Sequence, residues 1–93
     1  MFKRGWLRRN RIYSDEGFTV DVGGRFAVIY REGSRKMSIA AEMLIDGFAL
    51  NVRSVGHWDD DLLHRVDDET KRRIIASVKR ALESQGERVD LVW

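Results

Sequence analysis

The segment Met37–Val55 constrains the fold of this 93-residue chain most, because its two halves match across the dipeptide Asp46-Gly47. Asp-Gly is a strong signal for a two-residue hairpin turn, since both turn residues must tolerate positive φ. The turn predicts three facing pairs: Ile45 with Phe48, Met43 with Leu50, and Ala41 with Val52. Met37 and Ile39 extend this apolar face, and the other face pairs Glu42 with Asn51 and Ala40 with Arg53. The pattern therefore predicts an antiparallel hairpin with one face toward a core and the other toward water.

A second hairpin is predicted upstream, between an alternating strand at Phe18–Val22 and a strand at Arg25–Arg31. A three-residue loop around Gly23-Gly24, with a glycine in the left-handed region, collects the large apolar side chains on one face. The facing pairs in that register are Val20 with Phe26, Phe18 with Val28, and Asp21 with Arg25 as an ion pair. We expect the N-terminal segment to be irregular, with a strand starting at Arg11–Tyr13.

One helix is predicted, from about Asp68 to Gln85, with Asp67 as its N-cap and Gly86 just beyond its end. Its apolar stripe is Ile74, Ile75, Val78, Ala81 and Leu82. A last strand follows at Arg88–Trp93. The expected fold class is α+β: an antiparallel meander sheet of four to five strands packed on one C-terminal helix, with a final short strand added to the sheet. We expect residues 14–93 to form a single domain, preceded by a basic N-terminal segment at residues 1–13.

Charge is distributed unevenly, although the net charge is only +2. Residues 1–13 carry five bases and no acid: Lys3, Arg4, Arg8, Arg9 and Arg11. With Phe2, Trp6 and Tyr13 they leave open an alternative function, a small nucleic-acid-binding module. A solvated basic tail, or one that covers a sheet edge, is the other interpretation. The chain has no cysteine, which excludes disulfides and thiolate metal sites, and no apolar run as long as a membrane span or a signal peptide.

An acidic cluster lies between the hairpin and the helix, with six acids among the eleven residues 59–69. Asp67, Asp68 and Glu69 suit a helix N-terminus, but no cap or strand pair explains the other three. A solvated loop is one interpretation, and a docking site for a basic protein is the other. Trp58 next to it either anchors an interface or fills the core. The predicted partner-binding residues are Trp58, Asp59, Asp60, Asp61, Asp68 and Glu69.

Catalytic chemistry has weak support in this sequence. His57 and His64 flank the aspartates, but they lack the helical spacing of metal-binding motifs, and a polar loop that stabilises its own turns accounts for them. No glycine-rich phosphate loop leads into the helix, whose acidic N-terminus repels phosphate. We therefore expect no enzyme, no catalytic or metal-ligating residues and no cofactor.

The scaffold residues of segment 17–93 form a pattern that resembles small bacterial immunity proteins of polymorphic toxin and contact-dependent growth inhibition systems. The residues that carry the resemblance are Gly24, Arg25, Val28, Tyr30, Glu32, Gly33, Arg35, Met37, Ile39, Glu42, Met43, Leu44, Val55, Trp58, Asp59, Ile74, Ile75, Val78, Ala81, Leu82, Gly86, Val89 and Leu91. The resemblance implies a cytoplasmic inhibitor that binds and neutralises a cognate toxin domain. It implies a monomer or small homo-oligomer with no membrane partner. Many such toxins are nucleases with basic surfaces.

Overall fold

The computed structural model describes residues 2–4 as a backbone strand, together with residues 11–22 and 27–93. In these ranges one α-helix, α1, spans Asp68–Ser84, and Val52–Ser54 form a short 3₁₀ turn. The strands are β1 Phe2–Arg4, β2 Arg11–Ser14, β3 Phe18–Val22, β4 Ala27–Glu32, β5 Arg35–Leu44, β6 Gly47–Asn51 and β7 Arg88–Val92. The described helix is neither long nor apolar enough to cross a membrane.

Within the described residues the sheet has seven strands, hydrogen-bonded in chain order from β1 to β7. Strands β1 to β6 form an antiparallel meander, and β7 pairs with β6 in parallel. The α+β class, the helix and the added last strand are confirmed. The antiparallel meander is also confirmed, but among the described residues it has six strands where four to five were expected, and the parallel last strand makes the sheet mixed. The helix returns the chain to the start of β6, so β7 runs in the direction of β6, and the N-terminal segment contains a strand at Phe2–Arg4.

The β5–β6 hairpin turns one residue earlier than the Asp-Gly signal predicts. Leu44 pairs with Gly47, so Ile45 and Asp46 form the turn, and Gly47 is not in the left-handed region. Met43 faces Phe48 and Ala41 faces Leu50, so the predicted pairs are wrong although the two faces are correct. Gly47 serves a different purpose: a Cβ atom there would lie 1.9 Å from the backbone oxygen of Arg88. The glycine permits the close approach of β7.

The pairing register of β3 with β4 also differs from the predicted register. Val20 faces Tyr30 and Val22 faces Val28, so the connection is longer than three residues, and the expected pairing of Phe18 with Val28 is wrong. The residue opposite Val20 is Tyr30 in place of Phe26, a shift of four residues. A shift by an even number of residues leaves every side chain on its predicted face, so the apolar pattern cannot distinguish the two registers. Gly23, Gly24, Arg25 and Phe26 lie outside the described residues.

The core lies between the sheet and one face of α1. The helix stripe predicted from the sequence is buried, and it packs over buried residues of the sheet and its flanking turns: Ile12, Phe18, Val20, Val28, Tyr30, Met37, Ile39, Ala41, Phe48, Leu50, Val52, Val55, Trp58 and Val89. Met43 was expected in this core, but it is 50% exposed because it lies near the tip of the hairpin, beyond the cover of the helix. Both helix ends are confirmed: Asp67 Oδ1 accepts a hydrogen bond from the Thr70 amide at 2.7 Å, and Gly86 has φ +82°.

Asp21 joins three strands on the sheet face opposite the helix. Its carboxylate accepts hydrogen bonds from Arg11 Nη2 at 2.9 Å and Arg31 Nε at 3.2 Å, and the Asp21 side chain is largely buried. Burial raises the pKa of Asp21, but the two arginines outweigh it and hold the pKa below its ordinary value of 3.8. Asp21 therefore has defined partners in β2 and β4.

We predict that Gly47→Ala lowers the free energy of unfolding by at least about 2 kcal/mol, because the new methyl group overlaps backbone that cannot move aside. Urea unfolding measures the change. Gly56→Ala is the matched control: Gly56 is also buried, but its Cβ atom would lie 3.6 Å from the flexible Arg65 guanidinium, an ordinary van der Waals contact, so the loss should be clearly smaller than that of Gly47→Ala. Equal effects of the two variants would mean that β7 does not pack against Gly47.

We also predict acid-sensitive stability from Asp21. Its folded-state pKa lies below the unfolded-state value, so the stabilisation is fully present above the ordinary pKa and is lost as the pH falls through the lowered one. Asp21→Asn should flatten the acid limb of unfolding free energy against pH and cost about 2 kcal/mol at neutral pH. Asp46→Asn, which removes an exposed partner of Arg88, should leave the acid limb unchanged.

Candidate protein-binding site

Asp59 fastens the segment after the hairpin to the edge of β5. Its backbone amide donates to the Lys36 carbonyl at 2.7 Å, and its carboxylate accepts from the Ser38 amide at 2.9 Å and the Ser38 hydroxyl at 2.8 Å. The other edge of β5 at these residues is paired with β4. Asp59 thus takes the place of a neighbouring strand, and the prediction that no structural role explains the aspartate triplet is wrong for this residue.

Two further contacts hold residues 56–66, which we call the acidic loop. Before it, the Ser54 hydroxyl accepts a hydrogen bond from the Ala40 amide at 2.9 Å and donates to the Asn51 carbonyl at 2.7 Å. Across its base, the Val66 amide donates to the Gly56 carbonyl at 2.8 Å. The acidic loop is therefore braced at its base and against β5.

The side chain of Trp58 points from the acidic loop into the core and is not on the surface. The side chain is 6% exposed, and its ring centroid lies 6.2 Å from that of Tyr30. The Arg35 guanidinium carbon lies 4.8 Å above the indole ring, in cation–π range. Trp58 thus occupies the core position that the sequence offered as one of two alternatives, and it supports the loop from below.

Asp60 and Asp61 form ion pairs with the same cation, Arg35. Arg35 Nη2 lies 3.9 Å from one carboxylate oxygen of each aspartate. Asp61 also bonds His64 Nδ1 at 2.8 Å, and this hydrogen bond is the main cause of its lowered pKa. The Asp60 side chain is 69% exposed. Its distant contact with Arg35 leaves most of its charge facing solvent.

The start of α1 adds two exposed acids, Asp68 and Glu69, while the neighbouring Asp67 is used as the cap. Asp68 borders a shallow cavity of about 240 Å³ that Lys71, Arg72, Ile75 and Trp93 also line. The six predicted residues thus separate into two groups. Trp58 and Asp59 support the loop, whereas Asp60, Asp61, Asp68 and Glu69 carry charge at or near the surface.

A separate ion pair ties α1 to the sheet at this end of the molecule. The Glu32 carboxylate accepts hydrogen bonds from Arg73 of the helix and from the Tyr30 hydroxyl, the latter at 2.8 Å. Arg73 lowers the pKa of Glu32, and burial beside Glu32 raises the pKa of Tyr30. Glu32 faces Arg35 across the β4–β5 pair, so this contact and the acidic loop share Arg35 as a neighbour. The helix start and the loop are therefore held at the same end of the sheet.

The sequence of residues 16–92 shows which protein family the chain belongs to. Residues 16–92 match the model of a protein family described as Immunity protein 74. The chain belongs to the immunity protein 74 family. Its resemblance to bacterial immunity proteins is confirmed, and membership assigns the chain in general terms to toxin neutralisation. No curated protein and no solved structure matches the chain.

Sequence reasoning missed two surface residues of this immunity protein. Leu62 and Leu63 follow the aspartates in the acidic loop, and their side chains are 72% and 92% exposed. The available signal was two adjacent large apolar residues inside a polar loop. Such residues are informative when they lie together on a surface.

The other predicted chemistry maps onto the structure only in part. Lys3 and Arg4 belong to β1, Arg11 is paired with Asp21, and Trp6, Arg8 and Arg9 lie outside the described residues. Among residues 11–22 and 27–93, no three His, Asp or Glu side chains are grouped so as to hold a metal ion. The sheet face away from the helix has a shallow groove of about 290 Å³, lined by Ala40, Ala41, Glu42, Ala49, Asn51 and Val92.

We predict that the aspartates of the acidic loop differ in their effect on folding. Asp59→Ala removes two hydrogen bonds and leaves the Ser38 amide without its partner, so it should cost about 1–3 kcal/mol in urea unfolding. Asp60→Ala should change the unfolding free energy by less than about 0.5 kcal/mol, because its side chain is exposed. If both substitutions are equally harmless, Asp59 does not brace the loop.

Proposed function

We propose that this immunity protein binds a cognate toxin domain in the cytoplasm and blocks it, as in contact-dependent growth inhibition systems. The proposed contact surface is the acidic loop with the first turn of α1, supported from below by Trp58 and Asp59. The observation that carries the proposal is the group of acids held at one end of the sheet: Asp60, Asp61, Asp68 and Glu69. A basic face of the toxin, such as a nuclease uses to hold phosphates, complements this charge.

The bracing of the loop supports a binding role. Ordering a flexible loop on association subtracts from affinity, whereas a loop already held in place avoids that cost. Asp59 and the Val66–Gly56 hydrogen bond hold this loop in the isolated chain. The charged side chains are thus presented on a fixed frame.

The nucleic-acid alternative has less support from the described residues. Of the five basic residues in segment 1–13, Arg11 is the one whose side chain the structure describes. Its guanidinium is hydrogen-bonded to Asp21 in the sheet. A base already paired with a carboxylate contributes little to phosphate binding. Binding of nucleic acid by the isolated chain that disappears on removal of residues 1–10 would favour that alternative.

The test of function uses the product of the neighbouring gene as the candidate toxin domain. We expect the two proteins to co-purify, and we expect the immunity protein to restore growth of cells that express the toxin domain. Co-purification without growth rescue would argue against neutralisation, and absence of both would argue against this toxin as the partner.

We predict that Asp60→Asn/Asp68→Asn/Glu69→Gln slows association with that toxin domain about threefold to tenfold at low salt, because exposed charges act mainly on the association rate. Its rate should also depend less on salt concentration. Stopped-flow or surface-based kinetics measure both effects.

Glu42→Gln is the control, since Glu42 is exposed on the opposite face of the sheet. If the triple variant associates at the wild-type rate and Glu42→Gln associates more slowly, the toxin contacts the groove beside Glu42 and not the acidic loop.

A further inference from the structure

We infer that Leu62 and Leu63 are the anchoring side chains of the interface, which insert into an apolar pocket of the toxin domain rimmed by lysine or arginine. The inference rests on the proposed function and adds to it the chemistry of the partner surface. It also divides the roles in the acidic loop. The acids guide the approach of the toxin, and the two leucines hold it once bound.

The exposure of the two leucines does not come from a loose loop. Asp59 is bonded to β5 on the N-terminal side, and the Val66 amide is bonded to Gly56 on the C-terminal side. Within the loop, the Asp61 amide donates to the Trp58 carbonyl at 3.0 Å. Leu62 and Leu63 therefore project from a short segment that is fixed on both sides.

Folding of the chain makes little use of these side chains. Trp58 in the same loop is 6% exposed, whereas Leu62 is 72% and Leu63 is 92% exposed. A side chain that remains in water contributes little of the transfer free energy that burial provides. Two adjacent exposed leucines form an apolar surface of the kind that marks a protein–protein contact and becomes buried when the partner binds.

The neighbours of the leucines indicate what kind of partner covers them. Asp60 and Asp61 precede the pair directly, and Asp61 is engaged with His64 and Arg35. A second copy of this chain would bring two acidic loops against each other, which like-charge repulsion opposes. A pocket with an apolar floor and basic rim satisfies both the leucines and the acids, and that is the occupant to which we commit.

Kinetics separate the two roles. Charges at the edge of an interface change the association rate, whereas apolar anchors in its centre change the dissociation rate. We expect Leu62→Ala/Leu63→Ala to dissociate from the neighbouring gene's toxin domain at least tenfold faster than wild type, with an association rate within about twofold. The melting midpoint should stay within about 2 °C, since exposed side chains are removed.

Ile45→Ala is the matched control, because it removes a fully exposed apolar side chain from the β5–β6 turn. Strand β5 has ten residues, so Ile45 lies about 30 Å from the Arg35 end where the acidic loop is held. This variant should dissociate at the wild-type rate. Faster dissociation of both variants would indicate a general loss of surface apolarity and would overturn the assignment.

The outcomes distinguish this inference from the proposed function. If wild-type protein does not bind the toxin domain, the proposed function fails for that partner and the inference fails with it. If wild type binds and the double leucine variant dissociates at the wild-type rate, the inference alone is overturned. If wild type sediments as a dimer and the double variant as a monomer, the leucines join two copies and the committed occupant is wrong.

Discussion

One edge of β5 determines the placement of nearly everything that follows it. Strand β6 pairs with only the last four residues of β5, Ala41–Leu44, because the chain leaves the sheet in a 3₁₀ turn at Val52. The preceding half of that edge would expose unpaired amides, which cost free energy and invite pairing with other chains. Ser54 and Asp59 bond to this half instead. The acidic loop lies where it does because it completes a strand edge.

This arrangement makes adjacent residues of one loop serve opposite purposes. Trp58 turns inward and closes the core, Asp59 bonds to the sheet, and Leu62 and Leu63 point to solvent. Arg35 links the layers, since its guanidinium lies over the Trp58 ring and also faces Asp60 and Asp61. The acids are therefore partly neutralised from beneath and remain open above, which suits a surface that meets a basic partner.

The sequence predicts which face each side chain occupies more reliably than it predicts which residue it pairs with. Side chains on a strand alternate between the two faces, so a register shifted by an even number of residues keeps every face. The shift is two residues in the β5–β6 hairpin and four in the β3–β4 hairpin. The helix was predicted almost to its ends because caps and stripe are local signals. The bonds of Asp59 to Ser38 span 21 residues and leave no local pattern. For the same reason the sequence offered no way to separate Asp59 from Asp60 within the acidic triplet.

In the acidic loop, the residues that hold the loop in place are different from the residues whose side chains are exposed. The family match covers residues 16–92, and it includes strands β3 to β7, the helix and the acidic loop together. Substitution of Asp59 or Trp58 is expected to disturb folding, since Asp59 is hydrogen-bonded to the sheet and Trp58 is buried in the core. Substitution of exposed residues such as Leu63 typically changes stability by less than about 0.5 kcal/mol. If the proposed surface is the interface, partner choice can change at Leu62, Leu63 and Asp60 with little cost to the fold, because the contacts that hold the loop are made by other residues.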